Sequence, residues 1–216
     1  MVEKKSKHKK AWEAFVKEGI LKAAVKVLST HGLHGLTMDK VAMEAGVAKG
    51  TLYAYFKDKK KLVKSAVEAT LDPLVTELLT LLDGDLLPDK KLEEFATCYL
   101  SYFDANKDFF RVFLYEHRHE QPQRRRYRSS RYLTFIEKIA RVVDDGVKAG
   151  LFRPLDPLKV ASLFIEANIA IVIHRLWHNI SGHIEDDAGF FTEVFFKGIA
   201  TGQAPHTSQE CLKKGD

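Results

Sequence analysis

The stretch from Thr37 to Lys61, TMDKVAMEAGVAKGTLYAYFKDKKK, constrains the fold of this chain more than any other part of it. Apolar residues at three- and four-residue spacing predict a short helix, and Thr37 is a good residue to cap its start. Gly46 then supplies a turn residue that tolerates positive φ, and a second short helix is predicted over residues 48–54. A helix this short is not stable alone in water, so it must pack on its neighbours. The pattern predicts a helix-turn-helix whose second helix leaves its outer side free.

Charge is distributed unevenly along the chain. Residues 1–64 contain 15 lysines and arginines against 6 aspartates and glutamates, whereas the remainder contains 19 against 23. A basic first third on a mildly acidic remainder indicates a polyanionic partner for that first third. A solvated lysine surface would give the same balance, so charge alone does not decide between the two interpretations.

The apolar spacing of the rest of the sequence is helical in every segment, and no run alternates as a strand would. Further helices are predicted over residues 11–30, 61–82 (with Pro73 inside), 88–104, 109–120, 124–150, 158–178 and 187–201. The predicted fold class is therefore all-α. We expect an N-terminal three-helix head of the homeodomain-like type over 1–64, a helical body over 65–203, and a disordered tail over 204–216.

Several classes of protein are disfavoured by what the sequence lacks. No apolar segment follows the basic N-terminus, as a secretion signal would require. The longest apolar run, near Ala167–Ile173, is too short to span a bilayer, and the two cysteines fit a reducing compartment. The chain has no glycine-rich phosphate loop, nucleophile elbow or His-Glu metal motif. We expect a cytoplasmic protein that is not an enzyme and has no membrane span, cofactor or metal.

The order glycine turn, Lys-Gly-Thr-Leu-Tyr, Tyr-Phe and Lys-Asp-Lys resembles that of a known family. The segment GLHGLTMDKVAMEAGVAKGTLYAYFKDKKKLV is similar to the N-terminal domain of the tetracycline-repressor (TetR) family of bacterial regulators. The resemblance involves many individual residues over about 11–70, and beyond them it concerns only the helical architecture. It implies that the major groove is faced by Lys49, Gly50, Thr51 and Tyr53. It also implies phosphate contacts from Thr37, Tyr55, Lys57 and Lys59.

Two positions depart from the family pattern. Many members have Ser or Thr where this chain has Ala48, which has no oxygen to cap the recognition helix and so costs about 1 kcal/mol of local stability. Members commonly have acidic residues in place of Lys60 and Lys61. Lysines in the first turn oppose the dipole of the following helix, and a DNA phosphate would relieve this. Extension of the lysines into solvent is the alternative.

The last two predicted helices carry more apolar surface than one neighbouring helix would cover. As the resemblance also implies, we expect them to form a four-helix bundle with a second copy, although burial inside one chain is the alternative. The expected interface residues are Phe164, Ile171, Phe191, Phe195 and Ile199. A homodimer would present two recognition helices to a palindromic double-stranded operator.

The resemblance implies a small-molecule pocket in the body, for an unidentified and largely apolar ligand. Candidate lining residues are Phe95, Tyr99, Phe103, Phe113, Tyr132, Phe164, Asn168, His174 and Trp177. Aromatic residues at helical spacing are more often ordinary core, and polar residues on an apolar helix also find internal partners. Both alternatives therefore stay open for these residues.

Two groups of residues could bind a metal or an anionic ligand, but each also has an explanation that requires no ligand. His174 and His178 are four residues apart on one helical face, but no third ligand is in register for a metal. The arginines of 124–131 would suit an anionic ligand such as an acyl-CoA phosphate, although charge runs usually lie in water, and solvation is favoured.

These observations predict a homodimeric, sequence-specific DNA-binding transcriptional regulator. The resemblance favours a repressor that a small-molecule ligand releases from its palindromic operator. One alternative is an architectural DNA-binding protein that uses the same head without small-molecule input. Another is an enzyme that carries a DNA-binding head.

Overall fold

The computed structural model describes residues 2–116 and 130–200, and within them the side chains of 8–112 and 131–200. Several sequence-based predictions concern other parts of the chain. The predicted tail at 204–216 and residues 124–129 of the arginine cluster lie outside the described residues. Phe113 lies on a described helix, but its side chain is outside the described part.

Regular structure in the described ranges is helical, which confirms the all-α class. The helices are α1 (Val2–Gly35), α2 (Met38–Glu44), α3 (Lys49–Tyr55), α4 (Lys59–Asp83), α5 (Pro88–Ala105), α6 (Lys107–Glu116), α7 (Ser130–Lys148), α8 (Pro157–His178) and α9 (Ile184–Ile199). An isolated antiparallel bridge joins Phe152 and Ala200. The predicted spans 61–82, 88–104 and 158–178 agree with α4, α5 and α8 to within two residues, whereas α1 runs from Val2 to Gly35 and not from 11 to 30. The predicted helices over 109–120 and 124–150 extend into residues outside the described ranges.

The described chain packs as two compact units. The first takes in the described residues within Met1–Glu77, Tyr102–Tyr127 and Val172–Ser181, and the second those within Leu78–Ser101, Arg128–Ile171 and Gly182–Asp216. These units are defined by how the chain packs, whereas the predicted boundary between residues 64 and 65 separates a DNA-binding part from the rest. The packing units do not test that boundary, which stays a prediction.

The core of the first unit holds the N-terminal helices together. Ile20 and Leu28 of α1, Val41 of α2 and Leu52 of α3 are fully or almost fully buried. Helix α1 packs against both α2 and α6. At Gly32 the backbone of α1 takes a φ of 70°, a conformation that glycine adopts without the steric cost of a Cβ atom. Gly32 therefore breaks α1 before the chain enters α2.

Helix α4 continues through Pro73, as the predicted helix over 61–82 did. Proline has no N–H to donate to the carbonyl four residues earlier. One turn before Pro73, the hydroxyl of Tyr102 donates to the carbonyl of Thr70. Burial raises the pKa of Tyr102. The hydroxyl thus stays protonated and holds α5 against α4 near the proline.

A polar network attaches the C-terminal end of α8 to α5 and α6 within the first unit. The buried Arg175 forms an ion pair with Asp104, with 3.1 Å between Nη2 and Oδ1. Arg111 donates to the side chain of Asn179, and Lys107 donates to Ser181 at 3.0 Å. Because a buried guanidinium is costly to leave unpaired, Asp104 compensates for the burial of Arg175.

The second unit is built around Phe164, whose side chain is completely buried. Its ring centroid lies 5.4 Å from that of Phe95, 5.5 Å from that of Phe191 and 5.1 Å from that of Phe195. These tilted and edge-on arrangements are the ones that aromatic rings prefer in protein cores. Helices α5, α8 and α9 therefore meet at one aromatic centre.

Helix α8 has the length and apolar composition of a membrane-spanning helix, although its longest uninterrupted apolar run had appeared too short for one. The apolar window has a mean hydropathy of 1.4, and 44% of it is buried inside the protein. A core helix passes the same test of length and composition. The burial of Phe164, Ile165 and Val172 on one face accounts for the apolar character of α8 without a bilayer.

Replacing Phe164 with alanine should destabilise the protein by about 3–5 kcal/mol, because the substitution empties the centre of the aromatic cluster. The measurement is urea unfolding at a fixed protein concentration. Leu86→Ala, at an exposed residue of the same unit, is the matched control and should change the unfolding free energy by less than about 0.5 kcal/mol. Equal effects of the two substitutions would contradict the placement of Phe164.

Candidate nucleic-acid interface

The recognition helix α3 buries one residue and exposes the rest of its front. Leu52 is fully buried, and Phe56, just after the helix, is buried in the same unit. The predicted groove-facing residues all lie exposed on α3, with Tyr53 44% exposed; they are Lys49, Gly50, Thr51 and Tyr53. The structure thus brings these four residues together on the exposed front of one short helix, where they are accessible to base edges.

The turn between α2 and α3 has the geometry that the sequence pattern requires. Gly46 has a φ of 65°, and the amide of Val47 donates to the carbonyl of Ala42 at 3.0 Å. The hydroxyl oxygen of Thr37 accepts a hydrogen bond of 3.2 Å from the amide of Lys40. Thr37 therefore caps α2, and its exposed side chain lies beside the first turn of that helix.

Lys49 already has an acidic partner, which sequence reasoning missed. Its ammonium lies 2.7 Å from Oδ1 and 3.0 Å from Oδ2 of Asp39, in the first turn of α2. The hydrogen bond and the charge of Asp39 raise the pKa of Lys49. Ten residues separate the pair, so neither helical nor turn spacing could have indicated it. A base or phosphate that binds Lys49 must displace or share Asp39.

Lys59 is part of the scaffold in this structure. Its side chain is half-buried, and its ammonium donates to the carbonyl of Leu33. Lys40 likewise donates to the carbonyl of Gly35 at 3.0 Å. The carbonyls at the end of a helix have no intrahelical donors, so these two lysines satisfy the end of α1. A phosphate contact from Lys59, as the resemblance implies, requires it to leave that carbonyl.

The remaining predicted phosphate ligands lie near the end of α3 and the start of α4. Lys57 is exposed and Tyr55 is half-buried. Lys60 and Lys61, the departures from the family pattern, are also exposed, so their ammonium groups are accessible to either water or phosphate. Asp58 accepts a hydrogen bond of 2.8 Å from the amide of Lys61, which caps the first turn of α4.

Four of the five predicted interface residues are buried within the chain itself. Phe164, Phe191, Phe195 and Ile199 are at most 7% exposed, and Ile171 is half-buried. The same helices expose other large apolar side chains, among them Leu163, Phe190 and Val194 of the second unit. The sequence indicated apolar residues on every side of these helices but not which side faces the core. The interface role of the five predicted residues stays a prediction, and the three exposed residues are further candidates.

The predicted pocket residues divide between the two units. Phe95, Tyr99 and Phe164 lie together in the second unit, where Phe95 stacks on Tyr99 with centroids 6.0 Å apart. In the same unit Tyr132 donates to Glu166 at 3.0 Å. Asn168 also belongs to the second unit, and the first unit contains Phe103, His174 and Trp177.

Asn168 is the buried polar residue among the pocket candidates. Its amide nitrogen donates to the carbonyl of Phe164 at 2.9 Å, which identifies the other side-chain atom as the oxygen. That oxygen is buried and has no hydrogen-bond partner among the described residues. An unsatisfied buried acceptor costs about 1–3 kcal/mol, so this position is suited to a donor from outside the described residues.

Within ranges 2–116 and 130–200, no group of three or more His, Cys, Asp or Glu residues is arranged so that it could hold a metal ion. The rings of His174 and His178 lie 4.5 Å apart, and both side chains are exposed.

Comparison with protein families identifies both parts of the chain. A model described as "Bacterial regulatory proteins, tetR family" matches residues 20–66, which contain the helix-turn-helix. A second, described as "Tetracyclin repressor-like, C-terminal domain", matches residues 88–180. The chain belongs to the TetR family. It is a DNA-binding transcriptional regulator, and the family membership favours this function over that of a purely architectural protein.

Similar TetR proteins span most of this chain. The uncharacterized HTH-type transcriptional regulator YfiR of Bacillus subtilis is 27% identical over 173 residues, which are 73% of this chain and 78% of that protein. The HTH-type transcriptional repressor KstR2 of Rhodococcus jostii is 25% identical over 190 residues, 87% and 91% of the two chains. Both are named as regulators and neither as an enzyme.

A solved structure shares the fold of this TetR chain. The transcriptional regulator FadR from Bacillus subtilis, in complex with stearoyl-CoA, superposes with a TM-score of 0.71 at 20% identity. The match covers 84% of this chain and 98% of FadR. At this level of identity, the similarity concerns the fold alone.

Substituting serine for Ala48 should stabilise the protein by about 1 kcal/mol. Ala48 is the N-cap of α3 with extended backbone angles and no side-chain cap, and a serine oxygen there would accept from an unpaired amide of the first turn. Thr37→Ala, which removes the cap of α2, is the reciprocal control and should cost a similar amount. Thermal unfolding measures both. A loss of stability in Ala48→Ser would mean that α3 begins elsewhere.

Proposed function

We propose that this TetR protein is a cytoplasmic homodimeric repressor that binds a palindromic operator and releases it when a largely apolar, acyl-CoA-like ligand binds to the body. The observation that carries the DNA-binding part is the architecture of α3. Leu52 anchors the helix, while Lys49, Gly50, Thr51 and Tyr53 remain exposed. One helix reads only a few base pairs, so two copies are needed for useful specificity.

Exposed apolar residues on α8 and α9 support a dimer. Leu163, Phe190 and Val194 are 63%, 68% and 55% exposed, which is unusual for such large apolar side chains on neighbouring elements of a core. A second copy would cover them with the same residues under twofold symmetry. The dimer would then set the spacing between the two recognition helices, and therefore the spacing of the operator half-sites.

Support for the ligand class comes from the second unit and from the similar proteins. Phe95, Tyr99 and Phe164 provide apolar and aromatic surface, and the unpaired oxygen of Asn168 provides an acceptor beside it. The FadR structure contains stearoyl-CoA, and a structurally similar protein of Mycobacterium tuberculosis is described as the ketosteroid regulator KstR2. An acyl-CoA has an apolar chain together with amide and hydroxyl donors, and these features match both the aromatic surface and Asn168.

If α3 reads an operator sequence, Tyr53→Ala and Lys57→Ala should change DNA affinity in different ways. Duplexes selected by the protein from a random library are compared with scrambled duplexes of equal length. Tyr53→Ala should weaken binding to the selected duplex by about 1–3 kcal/mol and leave scrambled-duplex binding nearly unchanged. Lys57→Ala should weaken both alike and make the salt dependence shallower. If the unmodified protein bound both duplexes equally, the architectural alternative would hold instead.

Release by ligand predicts that stearoyl-CoA lowers the affinity for the selected duplex, while coenzyme A without an acyl chain does not. Asn168→Leu preserves side-chain size and removes the polar oxygen, so about five- to tenfold more stearoyl-CoA should be needed for the same release. The measurement is fluorescence anisotropy of the labelled duplex. No release of the unmodified protein would reject the acyl-CoA class, and an unchanged response of Asn168→Leu would reject the Asn168 contact.

A further inference from the structure

Helix α1 extends well beyond the part of it that is packed. Among the described side chains of α1, which begin at His8, the first buried residue is Ile20, although the helix begins at Val2. Residues 2–19, here called the N-terminal arm, therefore form about 27 Å of helix ahead of the core at 1.5 Å per residue. The described side chains 8–15 are all exposed. The family match begins at residue 20, so the arm lies outside the domain that accounts for operator reading.

The arm is strongly basic. Its lysines are Lys4, Lys5, Lys7, Lys9, Lys10 and Lys17, and its acidic residues are Glu3, Glu13 and Glu18. Where side chains are described, Glu13 lies 4.0 Å from Lys9, while Glu18 pairs at 2.7 Å with Lys22, beyond the arm. Like charges repel along a helix, and an exposed basic helix gains most when a polyanion neutralises it.

An exposed aromatic pair lies among these lysines. Trp12 and Phe15 are 66% and 68% exposed, and their rings stack with centroids 5.9 Å apart. Side chains of this size are usually covered by the protein core or by a partner. Aromatic groups between basic residues suit a duplex, because the lysines contact phosphates while the rings lie against the apolar edges of the sugars.

The DNA reader lies in the same compact unit as the arm. A duplex held by α3 is bound to the same folded unit as the arm, which raises its effective concentration for a contact by the arm. An anionic membrane would also attract a basic helix with exposed aromatic residues, but it would not share an anchor with the arm as the duplex does.

We propose that the N-terminal arm is a second DNA-binding surface, which contacts the backbone of the duplex that α3 reads. Lys9, Lys10 and Lys17 neutralise phosphates, and Trp12 and Phe15 pack on the sugar edge. The arm adds affinity without base readout. It extends the proposed function but does not depend on operator specificity, since its contacts form on any sequence.

The test is a salt series on a 40-base-pair duplex of mixed sequence, with the full chain and a triple variant: Lys9→Gln, Lys10→Gln and Lys17→Gln. Removing one lysine–phosphate pair should make the slope of log affinity against log salt shallower by about 0.9. If the variant removes one to three such pairs from each subunit of a dimer, the slope should therefore change by about 2 to 5. The three corresponding Lys→Arg changes should retain the original slope.

A matched control removes three exposed lysines from the second unit: Lys90→Gln, Lys148→Gln and Lys159→Gln. If the arm variant and this control gave the same slope, the arm would have no role in DNA binding. Operator specificity is measured separately on the selected duplex. If the unmodified protein bound the selected and scrambled duplexes equally, while the arm variant still had a shallower salt slope, the proposed repressor would be rejected and the proposed DNA contact of the arm would stand.

Trp12 provides a direct probe of DNA binding by the arm. The chain has two tryptophans, so Trp177→Phe leaves Trp12 as the single emitter. Adding the mixed-sequence duplex should quench or shift Trp12 emission, and the Lys→Gln arm variant should need several-fold more duplex for the same change. Unchanged emission at saturating duplex would overturn the proposal. The proposal would also be overturned if the arm variant lost its binding to phosphatidylglycerol vesicles while the slope of its DNA affinity against salt stayed the same as that of the unmodified protein.

Discussion

A helix of seven residues does not persist in water unless it has a surface to pack on, and α3 has seven residues. Its stability depends on the burial of Leu52, together with Phe56 just beyond its end. This single anchor leaves the front of α3 exposed, because no other residue of the helix is buried. The missing side-chain cap at Ala48 makes the helix still more dependent on this packing.

The lysines around the recognition helix have different roles, although they look alike in sequence. Lys40 and Lys59 satisfy carbonyls at the end of α1, which fixes the position where the chain enters α2. Lys49 is paired with Asp39, whereas Lys57 is exposed. The basic charge around α3 therefore serves partly to hold the scaffold together. A phosphate that bound Lys49 or Lys59 would have to compete with the internal partner of that lysine.

In the second unit, burial separates core residues from candidate contact residues. Phe164 and its aromatic neighbours fill the centre, which leaves Leu163, Phe190 and Val194 on the outside of the same helices. Asn168 is the exception within the core, because its buried oxygen lacks a partner among the described residues. Apolar surface left outside suits a second copy of the chain. An unpaired acceptor left inside suits a ligand.

The sequence by itself determined the all-α class, the positions of the described helices apart from the ends of α1, the glycine turn and the family, because these depend on local spacing and on motif residues that are contiguous in the chain. It also placed Lys49, Gly50, Thr51 and Tyr53 on one short helix. Only the tertiary structure decided the partners of the lysines and the inward face of α8 and α9. The Asp39–Lys49 and Lys59–Leu33 contacts join residues 10 and 26 positions apart, and helical periodicity carries no information at such separations. A helix that is apolar on all sides likewise has no preferred face until its neighbours are placed.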